Sequence, residues 1–80
     1  MTTTTIRIRT KDGSLLVYEL RGINDGIELS ADVMTVTGWI HEYDEMQTDT
    51  GPIRTTRMEQ RVEAKIALSN LAYYELLLPA

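Results

Sequence analysis

From Met58 to Leu68 the even positions read Met, Gln, Val, Ala, Ile and Leu, while positions 59, 61, 63 and 65 read Glu, Arg, Glu and Lys. A repeat of two puts one set on one face of a strand and the other set on the opposite face. Composition alone favours a helix here, because Glu, Gln, Arg, Ala and Lys are good helix formers. A helix, however, would stack like charges four residues apart: Arg57 on Arg61, Glu59 on Glu63, Arg61 on Lys65. A strand instead sets opposite signs side by side along its solvent face. The segment is therefore expected as an amphipathic strand with its apolar face in a core.

The rest of the chain repeats that reading in shorter pieces. Thr4 to Thr10 alternates, with Ile6 and Ile8 on one side and Arg7 and Arg9 on the other. Lys11-Asp12-Gly13-Ser14 then supplies turn chemistry, and Leu15 to Ile23 returns as a second strand. Asn24-Asp25-Gly26 is a second turn into Ile27 to Leu29, and Ser30-Ala31-Asp32 is a polar break. Val33 to Met46 is β-branched and aromatic but interrupted by Gly38. The apolar phase changes around that glycine, from Met34 and Val36 to Trp39 and Tyr43, so a bend is expected there with Trp39 turned into the core. Thr48-Asp49-Thr50-Gly51-Pro52 is the clearest loop, and the next element is expected to begin near Ile53. After Ser69-Asn70, Leu71 to Leu78 forms a last strand or pair of helical turns, ending at Pro79. The fold class expected is all-β, a small antiparallel barrel or sandwich of about five to six short strands in a single domain over residues 1–80.

Two stretches carry a resemblance at the level of fold. Arg9-Thr10-Lys11-Asp12-Gly13 followed by a strand resembles the first hairpin of Sm-like barrels. Ile66-Ala67-Leu68-Ser69-Asn70-Leu71-Ala72-Tyr73 resembles the strand, 3₁₀ turn and final strand that close SH3-like barrels. The chain lacks the acidic and aromatic groove signature of signalling SH3 domains and the Arg-Gly step of the second Sm motif. The resemblance implies a small barrel shape and leaves the binding chemistry open.

At 80 residues a folded chain buries only roughly 60% of the surface its unfolded form exposes, so self-association is expected. The absence of cysteine removes disulfide and zinc-thiolate scaffolds, and the start shows no basic flank followed by an apolar stretch. The chain is expected to be cytoplasmic, and no membrane partner is expected because its apolar runs fall far short of the roughly 20 residues that span a bilayer. The net charge of −4 is unevenly placed: residues 26–50 hold Glu28, Asp32, Glu42, Asp44, Glu45 and Asp49 with no Lys or Arg. A solvated face and a docking patch for a basic partner are both open readings, and Glu42, Asp44, Glu45 and Asp49 are the candidate partner-binding residues.

Catalytic chemistry finds little support. His41 is the only histidine, with Tyr43 and Glu45 on its side of a strand, and a zinc site normally gathers several nitrogen or sulfur ligands. Asp44, Glu45 and Asp49 lack the spacing of a calcium loop. Ser14, Ser30 and Ser69 lie in turns without a glycine-framed elbow, and the five glycines never form a phosphate-binding pattern. No enzyme, metal or cofactor is expected. A basic stripe of Arg7, Arg9 and Lys11, extended by Arg54 and Arg57, is the one argument for nucleic acid, set against an acidic chain without phenylalanine. The end of the chain is more telling, since a strand from Leu71 to Leu78 would be apolar or aromatic on both faces. Leu71, Tyr73, Tyr74, Leu76 and Leu77 are the candidate oligomer interface, with the monomer core as the alternative. The reading reached is a non-enzymatic protein–protein interaction module and homo-oligomer, most simply a dimer, with a small-barrel nucleic-acid binder as the alternative.

Overall fold

The computed structural model describes residues 3–79. Six strands follow one another: β1 (Thr4–Thr10), β2 (Leu15–Leu20), β3 (Gly26–Ser30), β4 (Val33–Thr48), β5 (Gly51–Ala67) and β6 (Leu71–Leu77), with a 3₁₀ turn at Leu68–Asn70 before the last. They form one curled antiparallel sheet, a half-barrel, as the all-β reading requires. Among the described residues no helix is long and apolar enough to cross a membrane.

The sheet is organised by β4. One edge pairs with β5 along its whole length, from Val33 opposite Ala67 to Thr48 opposite Gly51. The other edge serves two partners in turn: Val33 to Thr37 pair with β3, and Trp39 then pairs with Glu19 of β2. Gly38 stands at that change of partner, where a Cβ would lie 2.8 Å from the Glu19 carbonyl oxygen and 3.1 Å from Leu20 Cδ2. Only glycine lets the two backbones meet this closely. From β2 the sheet continues through β1 to β6.

The core lies on the concave side and is small. Ile6, Ile8, Tyr18, Met34, Val36 and Ile66 are buried, with Leu16, Leu20, Ile27, Ile40, Val62 and Ala64 packed around them. Met58 to Leu68, expected as a strand, is one through Ala67, and Val62, Ala64 and Ile66 supply its inward face.

Three expectations are corrected. The inward phase of β4 does not change at Gly38: Met34, Val36 and Gly38 are buried and Ile40 packs on the same core, so Trp39 lies half-buried on the convex face instead of in the core. The glycine answers a close approach, and the register of β4 against β5 shifts only later, where β5 carries one extra residue, Arg57, between the partners of Glu42 and Tyr43. Pro52 lies inside β5 opposite Gln47, so the element begins at Gly51 and not at Ile53. A proline is accommodated there because no described strand pairs with the outer edge of β5. The second strand, expected to reach Ile23, stops at Leu20. There Asp25 accepts a hydrogen bond from the Arg21 backbone N–H at 2.9 Å and folds the chain into the next turn.

Beyond the body, β4 and β5 run on as a two-stranded arm, so the molecule measures 51 × 30 × 23 Å with a radius of gyration of 14.6 Å. A compact chain of this length would have about 12 Å.

Candidate interaction surface

The local sequence sets what β6 displays. It pairs with β1 from Thr5 opposite Leu77 to Arg9 opposite Tyr73, and Thr10 then faces Leu71, which leaves Ala72 as an extra residue. Tyr74 and Leu76 thus point to the concave side with Ile8 and Ile6, while Tyr73, Glu75 and Leu77 point to the convex side with Arg9, Arg7 and Thr5. Leu71 packs against the core. The other four candidate residues are uncovered: Tyr73 is 55% exposed, Tyr74 41%, Leu76 47% and Leu77 42%. Of the two readings open in the sequence, core or interface, the monomer core accounts for Leu71 and leaves the other four side chains about half exposed.

The outer edges of the sheet differ in a way the sequence pattern explains. Along the outer edge of β5 stand Arg54, Arg57, Glu59, Arg61, Glu63 and Lys65, together with Pro52 and the bulge at Arg57. Charges, proline and bulges are the features that keep an edge strand from pairing with another chain. β6 has a single charge, Glu75, which faces Arg7 at 3.8 Å, and its one irregularity is near its start. No described strand pairs with its outer edge.

At its far end β6 borders an opening of about 700 Å³, lined by the apolar Leu20, Ile23, Ile27, Leu76 and Leu78 together with Arg21 and Asp25. The half-barrel remains open here. A folded monomer of 9.1 kDa exposes about 4,900 Å² on the usual scaling, and this chain exposes 5812 Å².

The acidic candidates lie on the arm, and the arm brings arginines to them. Arg57, in the bulge, bonds Glu42 and lies 3.6 Å from Asp44. Arg54 lies 3.5 Å from Glu45 on the other face and covers the Tyr43 ring at 5.3 Å. Asp49 is in the turn at the tip, so the four acids do not share one face. The basic candidates are likewise engaged: Arg7 faces Glu75, and Arg9 donates to the Gly13 carbonyl at 3.1 Å. The Lys11 backbone N–H donates to Asn70 at 2.8 Å, joining the first turn to the 3₁₀ turn.

His41 belongs to a convex network that strand alternation alone did not disclose. Its Nδ1 lies 3.1 Å from Arg21 Nη2 and 2.9 Å from the Tyr43 hydroxyl, and its Nε2 lies 3.0 Å from Thr56 Oγ1. Nδ1 also lies 3.4 Å from Glu19 Oε1, so the ring joins β2, β4 and β5 on this face. Among the described residues no group of three or more His, Asp or Glu is arranged to hold a metal. Arg21 is the centre of this network: it bonds Glu19 and Glu59 and lies over the Trp39 ring at 4.7 Å. Those bonds raise its pKa and hold the Glu59 carboxyl below the usual range. Asp25, its side chain 4% exposed, is also held low, first by the Arg21 backbone N–H and then by Arg61. The sequence signal for this network was the turn at Asn24-Asp25-Gly26, which places Arg21 at the end of β2 beside β4.

Neither the family models, nor the curated proteins, nor the solved structures compared with the chain give a match.

Proposed function

We propose that this chain is a non-enzymatic protein–protein interaction module that acts as a homo-oligomer, most simply a dimer, through its C-terminal strand. The observation that carries the reading is β6, an edge strand with large apolar side chains exposed on both faces and almost none of the charge that guards β5. Tyrosine and leucine are also suited to the task, because tyrosine gives large contact area while keeping a hydrogen-bonding tip. The acidic residues of the arm add less, since Arg54 and Arg57 balance Glu42, Asp44 and Glu45.

Light scattering at tens of micromolar, on the native chain and on Leu77→Glu, tests this reading. The native chain is expected at twice its 9.1 kDa mass. Leu77 is exposed, so Leu77→Glu is expected to keep the far-UV circular dichroism of the native chain while its mass falls to the monomer. A native monomer at that concentration overturns the proposal. Retardation of labelled RNA or DNA that weakens with salt would instead favour a nucleic-acid binder.

A further inference from the structure

We infer that two copies join edge to edge, β6 against β6 of the second copy, antiparallel about a twofold axis normal to the sheet, with Leu76 facing its own mate. This rests on the reading of β6 as the self-association surface and names its partner and register. The choice of edge follows from composition and length: β5 carries six charges, a proline and a bulge, β3 also pairs on one side only but is five residues long with Glu28 at its centre, and β6 carries Glu75 alone over seven residues. The occupant is a second copy because the surface is complementary to itself: a strand apolar on both faces, offering unpaired backbone groups, meets the same features in its mate.

Symmetry restricts the geometry. When two identical strands pair antiparallel about a twofold axis, the axis is normal to the sheet, so concave continues into concave and one residue faces itself. Glu75 is excluded from that position, since like charges directly opposite are destabilising. Centres at Tyr73 or Tyr74 would bring the mate's strand across the bulge at Ala72, where the regular pleat is broken. A centre at Leu77 would set Glu75, two positions from the axis, opposite the mate's Pro79, which has no N–H to give the ladder. Leu76 remains. In that register Glu75 lies opposite the second copy's Leu77, and Tyr74 lies opposite the second copy's Leu78. The concave side then gains a strip of Tyr74, Leu76 and Leu78 from each copy, residues that are 41%, 47% and 76% exposed in the monomer. Leu76 and Leu78 also line the opening, so the join sets the two openings on one continuous sheet.

The chain has no cysteine, so an introduced thiol is its only one. Facing residues of an antiparallel ladder have Cα atoms about 4.5 to 5.5 Å apart, within the range a disulfide spans. With oxidised glutathione as the oxidant, Leu76→Cys is expected to convert to a reducible covalent dimer at least tenfold faster than Tyr74→Cys. The two copies of Tyr74 would stand four positions apart, about 14 Å. The double variant Tyr74→Cys/Leu78→Cys is expected to link as readily as Leu76→Cys, and it carries the test if Leu76→Cys loses its native circular dichroism. A native chain that is monomeric by light scattering overturns the reading of β6 and this inference with it. A native dimer in which Tyr74→Cys alone links faster, or in which neither Leu76→Cys nor the double variant links, leaves self-association standing and overturns the edge-to-edge register.

Discussion

Replacing Gly38 by alanine tests the close approach of β4 to β2. The added Cβ would sit 2.8 Å from the Glu19 carbonyl oxygen, closer than such atoms come in folded proteins, and 3.1 Å from Leu20 Cδ2. The first contact is with backbone, so no rotamer relieves it. The backbone that must move is the one joining β2 to β4 through the single ladder pair of Glu19 and Trp39. Overpacking of this kind costs about 1 to 3 kcal/mol, offset in part by about 0.5 to 1 kcal/mol from restricting a glycine in the unfolded chain. A net loss of about 1 to 2 kcal/mol corresponds to a fall in Tm of about 5 to 15 °C for a domain of this size. The assay is a thermal melt by far-UV circular dichroism at matched protein concentrations, because association couples Tm to concentration. Gly22→Ala is the control: nothing lies within 4 Å of its added Cβ. A Gly38→Ala variant melting within a degree or two of the native chain and of the control would refute the close-approach argument.

Two further outcomes follow from the same geometry. Asp12, Asp25 and Glu59 are held below the usual carboxylate range, Asp12 first by the Thr10 hydroxyl, Asp25 first by the Arg21 backbone N–H and Glu59 first by the Arg21 guanidinium. The unfolded chain therefore binds more protons in acid, so urea midpoints are expected to be flat from neutral pH to about pH 5 and to fall below about pH 4; midpoints that hold or rise there would contradict it. Ala31 holds φ at 50° in the two-residue turn between β3 and β4, a region that costs an alanine about 1 to 2 kcal/mol. Ala31→Asn is expected to raise stability by up to about 1 kcal/mol in a urea titration, and a lowered midpoint would count against this turn geometry.

Much of this fold is written in local pattern. The period of two from Met58 to Leu68 was enough to override helix propensity, because the odd positions bear charges of alternating sign that only a strand sets beside one another. The turn at Gly13, where φ is 93°, was legible for a similar reason, whereas the turn before β3 is closed by Asp25 bonding Gly22 and Arg21, with Gly26 already in the strand. What escaped was non-local. Trp39 was expected inside because the apolar pattern changes near Gly38, yet β4 keeps its alternation through the glycine and Trp39 is met on the convex face by Arg21 from β2's end, a contact that β4's own sequence does not contain. The acidic stretch from Glu42 to Asp49 looked uniform for the same reason: the arginines that balance it arrive through the register of β5. The C-terminal strand was singled out correctly as apolar on both faces. Whether it met a core depended on the sheet's order, and that order leaves β6 at the rim.

Residue-resolved amide hydrogen exchange, followed from micromolar to millimolar protein, reads both open edges at once. If a second copy covers β6 while the outer edge of β5 stays in water, the outward amides between Tyr73 and Leu77 become protected as concentration rises, and the outward amides of β5 between Arg54 and Lys65 exchange quickly throughout. Outward amides of β6 that exchange as freely as those of β5 at every concentration would contradict the proposal.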